Sequence, residues 1–118
     1  MSVILRFIAA VTVLSGIVQV VAPGWILSLV EGNAAASYAF GIVGFFMALF
    51  GGLLWQSVGS GIRAGIFWSG LQKAGASAAV FIGVYRGVFH GPVAYAVASF
   101  DGVSAILIFV YYAFPRST

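Results

Sequence analysis

Apolar residues gather along this chain into four long stretches, at about 3–22, 37–58, 64–89 and 92–114, and the polar positions fall mostly in the breaks between them. Each stretch is close to the roughly 20 residues that a helix needs to cross a hydrocarbon layer about 30 Å thick. Strands of a membrane barrel would be about half as long and would alternate polar with apolar positions. The pattern therefore predicts an all-α fold, a single-domain integral membrane four-helix bundle over residues 1–118.

The breaks differ in character. Pro23-Gly24 stops the first stretch. The apolar run behind it is too short to span, and it predicts a short interfacial helix over 25–30, with Pro23 near its N-terminus and Trp25 at headgroup level. Gly32 and Asn33 are expected to end it. Residues 57–63 read as a Gly/Ser turn, and His90-Gly91-Pro92 as a tight turn with Pro92 in the first turn of the last helix. Short turns favour antiparallel neighbours, which sets the second, third and fourth long helices side by side. Small residues recur at a four-residue step, as Gly44, Ala48 and Gly52, as Gly75, Ala79, Gly83 and Gly87, and as Ala94, Ala98 and Gly102. Such a step keeps to one helix face, and small faces let helices approach closely in lipid.

Composition sharpens the membrane reading. Of 118 residues, 63% are hydrophobic and 6% charged, and the mean hydropathy is +1.16, whereas soluble domains carry about 25% charged residues. The absence of cysteine removes disulfides, thiolate metal sites and thiol catalysis together. A net charge of +3 resting on five basic and two acidic residues is too sparse for a nucleic-acid footprint. The basic residues carry topology instead. Four crossings place both termini on one side with Arg6, Arg63 and Arg116, leaving Arg86, His90 and Glu31 on the other. The positive-inside rule then gives an N-in, C-in arrangement, expected in a bacterial inner membrane. Arg6 and the apolar run behind it roughly fit a signal peptide, but Pro23 falls directly after the small residues at which cleavage would occur, so the segment reads as a retained helix.

The polar residues inside the stretches are the candidates for chemistry. Asp101 lies roughly 13 Å along the fourth helix, where a carboxylate must be paired, protonated or hydrated. It borders the small-residue face, so it is expected to point inward, either as a proton or ligand site or as one half of a structural ion pair. Arg86 shares a face with Ala79, Gly83 and His90 and is the expected partner, across a depth gap of roughly 8–9 Å; a side chain that snorkels to the headgroups is its other reading. Lys73 lies about 140° around the helix from Arg86 and is expected to snorkel to the opposite interface, while Gln72, about 40° away, is the better inward contact. Gln19 and Glu31 are expected near an outer polar cluster with Arg86, Glu31 reading more simply as a solvated turn residue. His90 stands alone, which argues against a metal site. No nucleophile motif or phosphate-binding loop is present; Gly41-Ile42-Val43-Gly44 has neither the lysine nor the preceding strand that a phosphate cradle needs.

The order of these features resembles a poorly characterised branch of the DoxX-like superfamily of small four-helix membrane proteins. The matching features are Leu14-Ser15-Gly16 and Pro23 in the first helix, the short apolar segment from Trp25 to Val30, the aromatic and glycine series from Tyr38 to Gly52, Arg86 before Gly91-Pro92, and Asp101 midway along the last helix. The resemblance implies a four-helix bundle; some members accompany quinone-linked redox enzymes and others act as scaffolds. Arg86 and Asp101 are the residues it carries over as a site.

The expected function is that of an accessory or scaffold protein that binds partner membrane proteins, a second copy of itself, lipid or quinone within the bilayer. Tiny loops and the lack of a catalytic set favour it, and no dedicated cofactor is expected. The alternative is a proton-coupled small-molecule transporter working through Asp101; small multidrug exporters have similar size, but they carry their essential acid in the first helix, which has none here. A fluoride-type channel lacks its motifs. An intramembrane enzyme is the weakest reading, because one Asp, one Arg and one His do not compose a mechanism.

Overall fold

A computed structural model of the chain describes residues 1–31 and 36–114. They form helices α1 (Ser2–Val21), α2 (Pro23–Leu29), α3 (Ser37–Ser60), α4 (Arg63–Tyr85) and α5 (Pro92–Ala113), with no strand among the described residues. The all-α reading and the short helix after the first long one both hold. Pro23 begins α2, where its missing N–H costs nothing. The breakers Gly32 and Asn33, and Arg116, lie outside the described residues.

Two of the turns are tighter than the sequence suggests. α3 continues to Ser60 and is ended by Gly61 in the left-handed region (φ 70°), leaving Ile62 alone before α4. α4 stops at Tyr85 rather than 89, because Arg86 and Gly87 (φ 77°) turn the chain away. Gly91 (φ 90°) then aims it into α5, and the Glu31 carboxylate occupies the place a Cβ would need there.

The long helices pair as α1 with α3 and as α4 with α5, and α3 meets α4 less extensively. The three later long helices do lie side by side, α3 on α4 and α4 on α5, but the sequence does not indicate that the most extensive contact of α3 is with α1, its neighbour beyond the α2 segment. The α1–α3 seam is made of backbone against backbone. Gly16 faces the Gly44 carbonyl and the Ala48 backbone, and Gly51 faces Ala9 and Val13. Gly51, not Gly52, is the seam residue, since Gly52 looks into open space. The stripe expected on the third stretch is also displaced. Gly75 meets nothing and Ala79 is exposed, while Gly83 is buried against Phe89 as expected; the rest of the buried face of α4 is Gly65, Ser69, Lys73 and Ser77, with Ile66 and Gly70 beside it. Ala94 and Ala98 on α5 are buried as expected, and Gly102 meets Ser77 across the seam.

At one end all four long helices close on a shared core of Leu5, Ile8, Leu54, Val58, Ile66, Ile108 and Tyr111. There Arg6 lies over the Trp55 ring at 5.5 Å, and Arg63 donates to the Tyr112 carbonyl at 2.8 Å, a cation on the last turn of α5. At the other end α2 folds over the bundle, burying Leu27 and Val30 with Ala94 against Phe40, Val84 and Phe89. The Val30 carbonyl accepts a hydrogen bond from the His90 backbone N–H at 2.8 Å, which ties α2 to the α4–α5 turn. Between the two clusters the helix pairs part.

The molecule measures 44 × 26 × 18 Å. Three helices, Ser2–Val21, Ala39–Ser60 and Pro92–Ala113, are long and apolar enough to cross a membrane. α4 is of similar length but more polar, since it carries Gln72, Lys73, Ser69 and Ser77.

Candidate functional site

The gap between the helix pairs is a cavity of about 350 Å³. α1 lines it with Val11, Thr12, Ser15 and Gln19, α2 roofs it with Ile26, Leu29 and Val30, and α3 adds Phe40 and Met47. Lys73 and Val80 of α4, Phe89 of the turn, and Val93, Ala96, Val97, Phe100 and Asp101 of α5 complete the wall. The lining is apolar except for the α1 face at Thr12, Ser15 and Gln19 and the level of Lys73 and Asp101.

Lys73 Nζ donates to Asp101 Oδ1 at 3.0 Å, the ion pair found among the described residues. Both side chains are nearly sealed, 3% exposed for Lys73 and 9% for Asp101. The Phe100 ring lies 5.3 Å from Nζ and adds a cation–π contact. One turn away, Ser77 Oγ donates to the Ala98 carbonyl at 2.8 Å, so the α4–α5 seam is pinned twice. Thr12 Oγ1 donates to its own helix at the Ile8 carbonyl, and Gln19 Nε2 donates across the seam to the Phe40 carbonyl, both at 2.8 Å.

The sequence expectation for this site is half right. Asp101 points inward, as it must at this depth. Its partner is Lys73, not Arg86. Arg86 caps the end of α4 and is exposed, as is His90, and neither lines the cavity. Gln72 is half-buried and also stands outside the cavity wall. Gln19 is in the wall, sharing the cavity with Asp101 without bonding to it.

The physical reason is which face of α4 is buried. Arg86 and Ala79 lie on the exposed side of α4, although Gly83, expected on the same face, is buried against Phe89. The four-residue step through Gly65, Ser69, Lys73 and Ser77 is the signal that would have located Lys73. Its small members let α5 come close, and the depths of Lys73 and Asp101 below the α4–α5 turn differ by roughly 5 Å, within reach of a lysine stem.

No three acids or histidines come together as a metal site among the described residues. The arrangement offers instead an apolar chamber with one neutral ion pair in its wall. No family model, curated protein or solved structure matches this chain.

Proposed function

We propose that this chain is an integral membrane protein with four spans, α4 being the fourth, which holds a bilayer-soluble small molecule, a lipid or a quinone, in the cavity between its helix pairs. In this reading it serves partner membrane proteins as an accessory or scaffold, from a bacterial inner membrane with both termini inside. The observation that carries it is the cavity itself. A volume of about 350 Å³ falls in the range of small-molecule sites, and so does a lining that is mostly apolar with a few convergent polar groups. The polar residues of α4 do not argue against a span, because Ser69, Lys73 and Ser77 turn to α5 and find partners there or on their own helix. The resemblance to DoxX-like proteins rests on sequence motifs alone.

The test is to purify the protein in mild detergent and identify bound molecules by native mass spectrometry, beside a Val97→Trp variant that fills the cavity. A specific lipid or quinone held at near one per chain, and lost from the filled variant, supports the proposal. The same unselective lipid in both preparations refutes it.

A second reading, proton-coupled transport through Asp101, draws on the placement of a carboxylate and an ammonium in the cavity wall. Proton uptake into proteoliposomes that Asp101→Asn abolishes would favour it.

A further inference from the structure

The chemistry of the cavity wall narrows the ligand, and this step rests on the proposal that the cavity binds a bilayer molecule. We infer that the cavity selects an uncharged amphiphile bearing a carbonyl oxygen, and that Lys73 is the group that recognises it.

Charge is the first argument. The Lys73–Asp101 pair is net neutral and lies in a wall otherwise built of apolar side chains. An anion approaching Lys73 also approaches Asp101, which lies within hydrogen-bond distance of the same ammonium. A cation meets the opposite conflict. In low dielectric such like-charge approaches are costly, and the ion must also give up its water. A neutral molecule meets neither cost.

The donors give the second argument. An ammonium carries three N–H groups. One is directed at Asp101 Oδ1, and the Phe100 ring face draws the charge without giving Nζ an acceptor oxygen. Lys73 lines the cavity with only 3% of its side chain exposed, so an acceptor oxygen must come directly against it to bond, and a bond formed there to a charged donor is about twice as strong as a neutral one. A carbonyl placed there completes the shell of Nζ, while Phe40, Phe89, Phe100 and Val97 receive the apolar remainder.

The way in agrees with an amphiphile. Ser15 on α1, Leu29 on α2 and Val93, Ala96 and Val97 on α5 line the cavity and are also exposed, so the chamber opens on the side where α5 faces α1 and α2. α2 covers the chamber with the apolar side chains of Ile26 and Leu29, so the rim there is apolar as well. A ligand reaches this mouth from the lipid phase.

The test uses three photoreactive probes of equal chain length in phosphatidylcholine vesicles: a diazirine-bearing dialkyl ketone, the corresponding alkane, and the corresponding fatty acid. Labelling of peptides with Val11, Val97 and Phe100 is compared with labelling of Phe45 and Phe46 on the outer face of α3. The ketone should label the cavity roughly tenfold more than the alkane, the ratio that one charge-assisted hydrogen bond supplies. Because Lys73→Met alone leaves Asp101 unpaired, the comparison protein is Lys73→Met/Asp101→Leu, which removes both charges and keeps an apolar wall. In it the ketone should lose its advantage while the alkane still labels. Equal cavity labelling by ketone and alkane in the native protein overturns the role of Lys73 and leaves the binding proposal standing. Preference for the fatty acid overturns the selection of a neutral ligand. Cavity labelling no higher than that of the α3 face, with all three probes, overturns both readings.

Discussion

At Gly16 a methyl group would land 2.5 Å from the Gly44 carbonyl oxygen and 2.6 Å from the Ala48 nitrogen, both backbone atoms of α3 that cannot swing aside. At Gly52 it would meet nothing. Gly16→Ala is therefore expected to destabilise the bundle by about 1–3 kcal/mol, the usual cost of overpacking. Gly52→Ala should be neutral or stabilise by up to about 1 kcal/mol, because alanine is the better helix former. Unfolding in mixed detergent micelles reads both, and equal effects would mean that the α1–α3 seam is not where the structure has it. The ion pair permits a similar comparison. Asp101→Ala leaves the Lys73 ammonium buried and alone, at an expected cost of about 3–5 kcal/mol, whereas Lys73→Met/Asp101→Leu should cost far less. Arg86→Ala should change little, since Arg86 is exposed at the helix end. A double-mutant cycle on Lys73 and Asp101 should show strong coupling, and one on Arg86 and Asp101 none.

Among the elements, α4 is the one whose composition and environment disagree. Its polar residues lower its hydropathy below that of the other long helices, yet Gly65, Ser69, Lys73 and Ser77 form one buried stripe and leave Trp68, Leu71, Phe81 and Ile82 on the outside. A helix built this way is apolar toward lipid and polar toward its neighbour, which is how membrane bundles hide ionisable groups. α4 is expected to span. Single cysteines at Ile62 and at Val88, exposed on either side of it, should react with a membrane-impermeant maleimide from opposite sides of sealed vesicles. Reaction of both from one side would place α4 on the surface. α2 has a different task. Too short to span, it lies over the open end of the bundle and is held to the α4–α5 turn by the bond from His90 to Val30.

For the molecule as a whole, large apolar side chains are exposed around the entire bundle, among them Phe7, Leu14, Phe45, Trp68, Ile82 and Ile106. That surface has no counterpart in a water-soluble protein, where exposed apolar patches are limited in size. The protein should stay in the membrane fraction after alkaline carbonate washing, and release into the supernatant would contradict the membrane assignment. The charged residues are also sorted by end. Arg6 and Arg63 sit where α1 and α4 begin, and Arg86 lies at the opposite end beside the turn that meets α2. Reporter fusions at the two termini should both be cytoplasmic, and export of either would reverse the orientation.

Sequence alone determined what depends on one chain segment at a time. Span-length apolar runs, Pro23 and Pro92 at helix starts and glycines in the turns fix the helices, and the cost of a carboxylate at mid-helix depth requires Asp101 to turn inward. Sequence did not determine which face of each helix meets which neighbour. Moderately apolar helices rich in glycine and alanine carry several small-residue stripes that look alike, and with lipid as apolar as the core no hydrophobic contrast separates inside from outside. Only the tertiary packing chose Gly51 over Gly52, the Gly65–Ser77 stripe over that of Ala79, and so Lys73 over Arg86. The cavity is a property of packing in the same sense. It exists because α1–α3 and α4–α5 close as two pairs joined tightly at one end, and no single segment encodes the space between them.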